Sequence, residues 1–75
     1  MSAKQVEEKM TELIHREPFV PFVVEMIDGR SLDIFHPGVA FDDSGAVFIG
    51  HDGGLVEFEF ENVRHIRLHS AETVA

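Results

Sequence analysis

Val56, Phe58 and Phe60 alternate with Glu57, Glu59 and Glu61. No other run in the chain constrains the fold so tightly. Apolar residues at a period of two, each followed by a carboxylate, describe a strand with one dry face and one wet face. Wound as a helix, the same residues would spread phenylalanines and acids around the whole circumference. The chain must therefore build an antiparallel sheet, and something must cover its apolar side. With 75 residues in all, that cover comes from within a single small domain, residues 1–75. A core of this size supplies roughly 3–5 kcal/mol unless a disulfide, a metal or self-association adds to it. The chain has no cysteine, which excludes disulfides, thiolate zinc sites and a cysteine nucleophile. Self-association and metal are left.

The remaining elements follow from changes of period. Residues 2–16 read as an amphipathic helix, with Ser2 and Gln5 spaced as a capping box and Ala3, Val6, Met10, Leu13 and Ile14 forming the apolar stripe. Glu7 and Glu8 sit in its first half and His15 and Arg16 in its last turn, as the helix dipole prefers. Pro18 ends it. Beyond the proline the period falls to two. Val20, Phe22, Val24 and Met26 form one face of a first strand and Phe19, Pro21, Val23, Glu25 and Ile27 the other, which is also mostly apolar. Asp28-Gly29 is a hairpin turn. Leu32, Ile34 and His36 continue a second strand, broken at His36-Pro37-Gly38. The turn Asp43-Ser44-Gly45 leads into a third strand over 46–50, and Asp52-Gly53-Gly54 into the fourth, over 56–60. A corner at 61–63 precedes a fifth, 64–68, with Ile66 and Leu68 inward and His65, Arg67 and His69 outward. Residues 70–75 read as a frayed tail. One helix and five short, bent strands predict a mostly β fold, a helix-capped small barrel over 19–69, because closure hides edges and the phenylalanines together.

Charge narrows the partners. Fourteen Asp and Glu against six Lys and Arg give a net charge of −8, which repels phosphate backbones and anionic membranes and suits solubility or a basic partner. No apolar run reaches the ~18–20 residues of a membrane span, and Met1–Gln5 lacks a signal peptide's apolar stretch. These features predict a soluble, cytoplasmic protein without membrane contact.

The order of elements resembles the Sm-like fold and, within it, the bacterial RNA chaperone family Hfq. The resemblance spans residues 6–68 and is carried by the apolar strand over 20–27 running into Asp28-Gly29, the pair Phe41-Asp42, and Val63 with Ile66 near the end. It implies a ring-forming subunit whose fourth strand pairs with the next subunit's fifth. The chain departs from that pattern in two places. Ile34 stands where the family bends its second strand at a glycine, and His36-Pro37-Gly38 lengthens the following connection. Where Hfq carries a Tyr-Lys-His run that helps line its RNA pore, this chain has Glu59-Phe60-Glu61. The five-stranded fold is expected, with other small SH3-like barrels fitting nearly as well, and the RNA site is not.

The constellations that carry chemistry elsewhere are weak here. His65 and His69 share a strand face but sit roughly 13 Å apart along it, too far for one metal ion. His51-Asp52 lies by a turn, His36 in a strand-ending bend, and His15 near the helix end. Ser2, Ser31, Ser44, Ser70, Thr11 and Thr73 stand in no nucleophile elbow and beside no evident base. Asp42-Asp43 suits a turn, and Asp52-Gly53-Gly54 lacks the lysine and helix of a phosphate loop. The acid row Glu57, Glu59, Glu61 reads as a solvated sheet face that can also meet Lys or Arg of a partner.

The expectation is thus a non-enzymatic, cofactor-free Sm-like module that assembles into a homo-oligomer and binds a protein partner. Its interface is drawn from Val56, Phe58 and Phe60 on the fourth strand and Arg64, Ile66 and Arg67 on the fifth. The alternative is an Sm-like RNA binder using Lys4, Lys9, Arg16, Arg64 and Arg67. A third reading is a histidine-based metal or small-ligand protein.

Overall fold

The computed structural model describes residues 1–68. A helix α1 (Ala3–Ile14) is followed by strands β1 (Phe22–Met26), β2 (Ser31–Ile34), β3 (Val39–Phe41), β4 (Gly45–Ile49) and β5 (Leu55–Glu59), a 3-10 turn (Phe60–Asn62) and β6 (Val63–Leu68). The class is the expected one, mostly β with an N-terminal helix. Ser2 caps α1 as the sequence implies. Its hydroxyl accepts from the Gln5 N–H at 3.2 Å, and the Gln5 side chain accepts from the Ser2 N–H at 2.9 Å. Val6, Met10 and Leu13 form the buried stripe. The helix stops at Ile14 rather than 16, so His15 and Arg16 follow it instead of occupying its last turn. His15 still serves that end directly. Its backbone N–H and its ring Nδ1 both reach the Thr11 carbonyl, at 3.2 and 2.9 Å, and so engage an acceptor that the end of a helix leaves open.

The expected single barrel of five strands gives way to two antiparallel three-stranded sheets, ordered β2-β1-β6 and β3-β4-β5. No ladder joins the two sheets among the described residues, so the strands do not close on themselves. Two features explain the difference. The segment after β2 holds Pro37, which lacks an N–H, and turns the chain out of the first sheet before β3 begins at Val39. And β3, only three residues long, falls below what periodicity detects. It occupies Val39–Phe41, a stretch that the sequence reads as the connection. Phe60, expected as the last residue of the fourth strand, instead opens the 3-10 turn.

That turn is where the halves join. The Phe60 N–H donates to the Ser44 carbonyl at 2.8 Å, beside the second sheet, and the Asn62 carbonyl accepts from the Ile27 N–H at 2.8 Å, at the end of β1. The core fills the space between. Phe22, Val24, Met26 and Ile34 enter from the first sheet, Phe48 and Phe58 from the second, and Val6, Met10 and Leu13 from the helix. Phe60 is fully buried at the joint, its ring centroid 6.0 Å from Phe58 and 6.4 Å from Phe41. No buried side chain among the described residues is polar or charged. No helix of the described residues is long and apolar enough to cross a membrane. His69 and the tail 70–75 lie outside the described residues.

Candidate functional site

The two strands expected to meet a neighbour are both edge strands. β5 pairs only with β4, and β6 only with β1, among the described residues. An edge strand keeps a row of backbone donors and acceptors that another chain can pair with. The side chains divide by face. On β5, Phe58 points into the core and Val56 packs half-buried against it, while Glu57 and Glu59 are exposed. On β6, Val63 and Ile66 are core residues. Phe58, Phe60 and Ile66 are thus spent inside the subunit and bring backbone, not side chains, to any edge contact.

β6 carries a bulge. Glu25 faces His65 and Met26 faces Val63, so Arg64 is the extra residue, pushed out of the ladder and exposed. Arg67 is tied within the chain. Its Nε donates to Glu25 Oε2 at 2.9 Å across the β1–β6 pair. That hydrogen bond, with the Arg67 charge and weaker contributions from His65 and Arg64, holds the Glu25 carboxyl below its ordinary range against the opposing effect of desolvation. Of the other bases considered for RNA, Lys9 pairs with Glu12 at 3.5 Å, while Lys4 and Arg16 are exposed.

The turns are built as their residue types imply. Asp42 Oδ1 accepts from the Ser44 N–H, the Ser44 hydroxyl and the Gly45 N–H at 2.8, 2.9 and 3.0 Å, and these bonds lower its pKa. Asp28 accepts from the Arg30 backbone and guanidinium at 3.0 and 2.9 Å, which lowers its pKa likewise. Both aspartates serve their turns, Asp42 through Oδ1 and Asp28 through both carboxylate oxygens.

One grouping was not legible in the sequence. The Phe35 ring stacks on His51 with centroids 3.9 Å apart and meets the His36 ring edge-on at 4.8 Å. His36 accepts from the Gly38 N–H at Nδ1, 3.0 Å, and its Nε2 lies 3.2 Å from the Ile49 carbonyl, so it ties the β2–β3 connection to the end of β4. His51 Nε2 lies 4.0 Å from Asp33 Oδ2. Phe35 is the residue that joins these elements, and its only signal is an exposed aromatic directly after a strand. Among the described residues no three His, Asp or Glu converge as metal ligands. The sequence reading of His65 with His69 falls partly outside the described residues.

The outer side of the second sheet is different in kind. Alternation along the ladders puts Ala40, Val47, Ile49 and Leu55 there together, with Glu57 and Glu59 alongside. Leu55 is 71% exposed and Ile49 44%. An open depression of about 670 Å³ lies over Gly45 and Val47, bordered by Asp42, Ser44, Glu57 and Glu59.

No family model, curated protein or solved structure matches the chain.

Proposed function

We propose that this chain is a non-enzymatic, self-assembling module of the Sm-like type, in which the β5 edge of one subunit pairs with the β6 edge of the next. The observation that carries this reading is the placement of β5 and β6 at open edges of two separate sheets. Size supports it, because a 75-residue chain without cysteine gains what its small core lacks by burying surface against a copy of itself. The exposed side chains support it too, with Glu57 and Glu59 on one edge and Arg64 on the other. Assembly multiplies a net charge of −8 per chain, so the oligomer should be tighter at moderate salt than at very low salt.

The same charge argues against RNA as the ligand. Between residues 31 and 63 stand Asp33, Asp42, Asp43, Asp52, Glu57, Glu59 and Glu61, seven acids, and no Lys or Arg. Phosphate affinity rests on those two side chains. Sedimentation at micromolar concentration across ionic strengths tests the assembly. A mass well above 8.4 kDa, unchanged by A-rich or U-rich RNA, is expected. A clean monomer at every salt ends the ring, and submicromolar RNA binding on a filter reverses the ligand preference.

A further inference from the structure

We infer that the outer side of β3-β4-β5 is a docking face for a basic, amphipathic helical segment of another protein. This goes beyond self-assembly through the strand edges, which would share Glu57 and Glu59 with such a partner. The face combines two properties that water does not favour together. Ala40, Val47, Ile49 and Leu55 form an apolar band across three strands, and the cross-strand pair Ile49 and Leu55 at one end of it is 44% and 71% exposed. Glu57 and Glu59 run beside that band, and Asp42 borders the depression at its end. All six Lys and Arg of the chain, Lys4, Lys9, Arg16, Arg30, Arg64 and Arg67, lie outside residues 31–63. The sheet therefore supplies no Lys or Arg of its own to the carboxylates along this band.

Complementarity fixes the chemistry of the occupant. The apolar band asks for aliphatic side chains, and the row on β5 asks for Lys or Arg on one flank of them. A second copy fits poorly, because its own band would bring Glu57 and Glu59 against the same residues here. Three strands at ~4.8 Å spacing present a face about 10 Å across, the width of one α-helix. A helix with aliphatic residues at i, i+3, i+4 and i+7 and basic residues on one side satisfies band and row together.

The test uses a labelled synthetic helix of Leu and Lys, its Leu and Glu counterpart, and a Leu and Lys peptide scrambled to break the helical spacing. Anisotropy titrations against the full chain should show binding of the first, none of the second, and about tenfold weaker binding of the third. Replacing Leu55→Ser with Ile49→Ser should weaken the first peptide by about tenfold or more, and Glu57→Gln with Glu59→Gln should weaken it and flatten its salt dependence. Controls lie elsewhere on the surface: Ile27→Ser, at an apolar residue 64% exposed, and Glu8→Gln with Glu12→Gln on α1 should change affinity by less than about twofold. Equal binding of the ordered and scrambled peptides, or equal losses from the face and control variants, overturns the proposal. So does a Leu55→Ser, Ile49→Ser variant that keeps peptide affinity but lowers the sedimenting mass, which assigns the face to a second copy. All seven replaced side chains are exposed, and circular dichroism of each variant establishes that it folds.

Discussion

The two sheets share one core, yet their outer sides follow opposite rules. On β2-β1-β6 the row Asp33, Val23, Arg67 adjoins the row Ser31, Glu25, His65. Acids and bases stand next to one another there, and Arg67 closes on Glu25 at 2.9 Å. Val23, which belongs to this outer side and not to the central cluster, is only 2% exposed. On β3-β4-β5 the equivalent side has aliphatics open to water and carboxylates without a lysine or arginine in the sheet. The first sheet pairs an acid with a base on its outer face, Glu25 with Arg67. The second leaves its face for something else. Where a 75-residue chain spends its six bases thus separates a finished surface from an unfinished one.

The joint between the sheets gives the largest expected effect. Phe60 is fully buried there against Phe41 and Phe58, so Phe60→Ala should cost roughly 3–5 kcal/mol, enough to unfold much of so small a domain. Urea denaturation measures it. A loss below about 1 kcal/mol would mean that the halves do not depend on this joint.

Gly45 probes the second sheet from within. A Cβ added there would lie 2.6 Å from the Phe58 carbonyl oxygen, a backbone atom that cannot swing aside. Gly45→Ala should therefore destabilise by about 1–3 kcal/mol through a shift of β4 against β5. An unchanged urea midpoint would show that the ladder between these strands gives way freely.

A matched pair of truncations sets the two faces against each other. Val23→Ala removes two methyl groups from a buried site and should cost about 2 kcal/mol, whereas Val47→Ala, at a half-buried site on the open face, should cost about half as much. Equal losses would erase the contrast between finished and unfinished sides. Added basic peptide should widen the loss at Val47 and leave that at Val23 unchanged.

The sequence carried the parts of this picture that rest on local period and turn chemistry. The capping box of Ser2 and Gln5, the alternation of Val56 through Glu59, the turn at Asp28-Gly29 and the break at His36-Pro37-Gly38 are all short-range, and all appear in the structure. What escaped depends on distance. Whether strands close into one barrel is decided by which edges meet, and β3 is too short for its alternation to register. The Phe35, His36 and His51 grouping brings residues of separate segments together. Arg67 was legible as an outward base, but its pairing with Glu25, 42 positions away, was not. The open face follows from register, which places Leu55 beside Ile49 and Glu57 beside Val47.

The smallest expected effect separates the faces by pH. Glu25, hydrogen-bonded to Arg67, titrates below its ordinary range in the folded chain. A carboxyl whose folded pKa lies below its unfolded value contributes stability that is fully present above the unfolded value and is lost as pH falls through the folded one. Asp28 and Asp42, lowered by hydrogen bonds from Arg30 and from Ser44 with Gly45, act in the same direction. Urea midpoints should therefore fall as pH is taken from neutrality to about 3. Glu25→Gln, which keeps the shape but not the charge, should lower the midpoint at neutral pH and make its fall with acid shallower, because the variant has no proton to take up there. Glu57→Gln, on the open face, should leave the stability at neutral pH within about 0.5 kcal/mol of the parent. If Glu57→Gln lowers the neutral midpoint as much as Glu25→Gln does, Glu57 has a cationic partner in the folded state and the second sheet is not open. If only Glu25→Gln does so, the charge compensation of the first sheet is what acid removes.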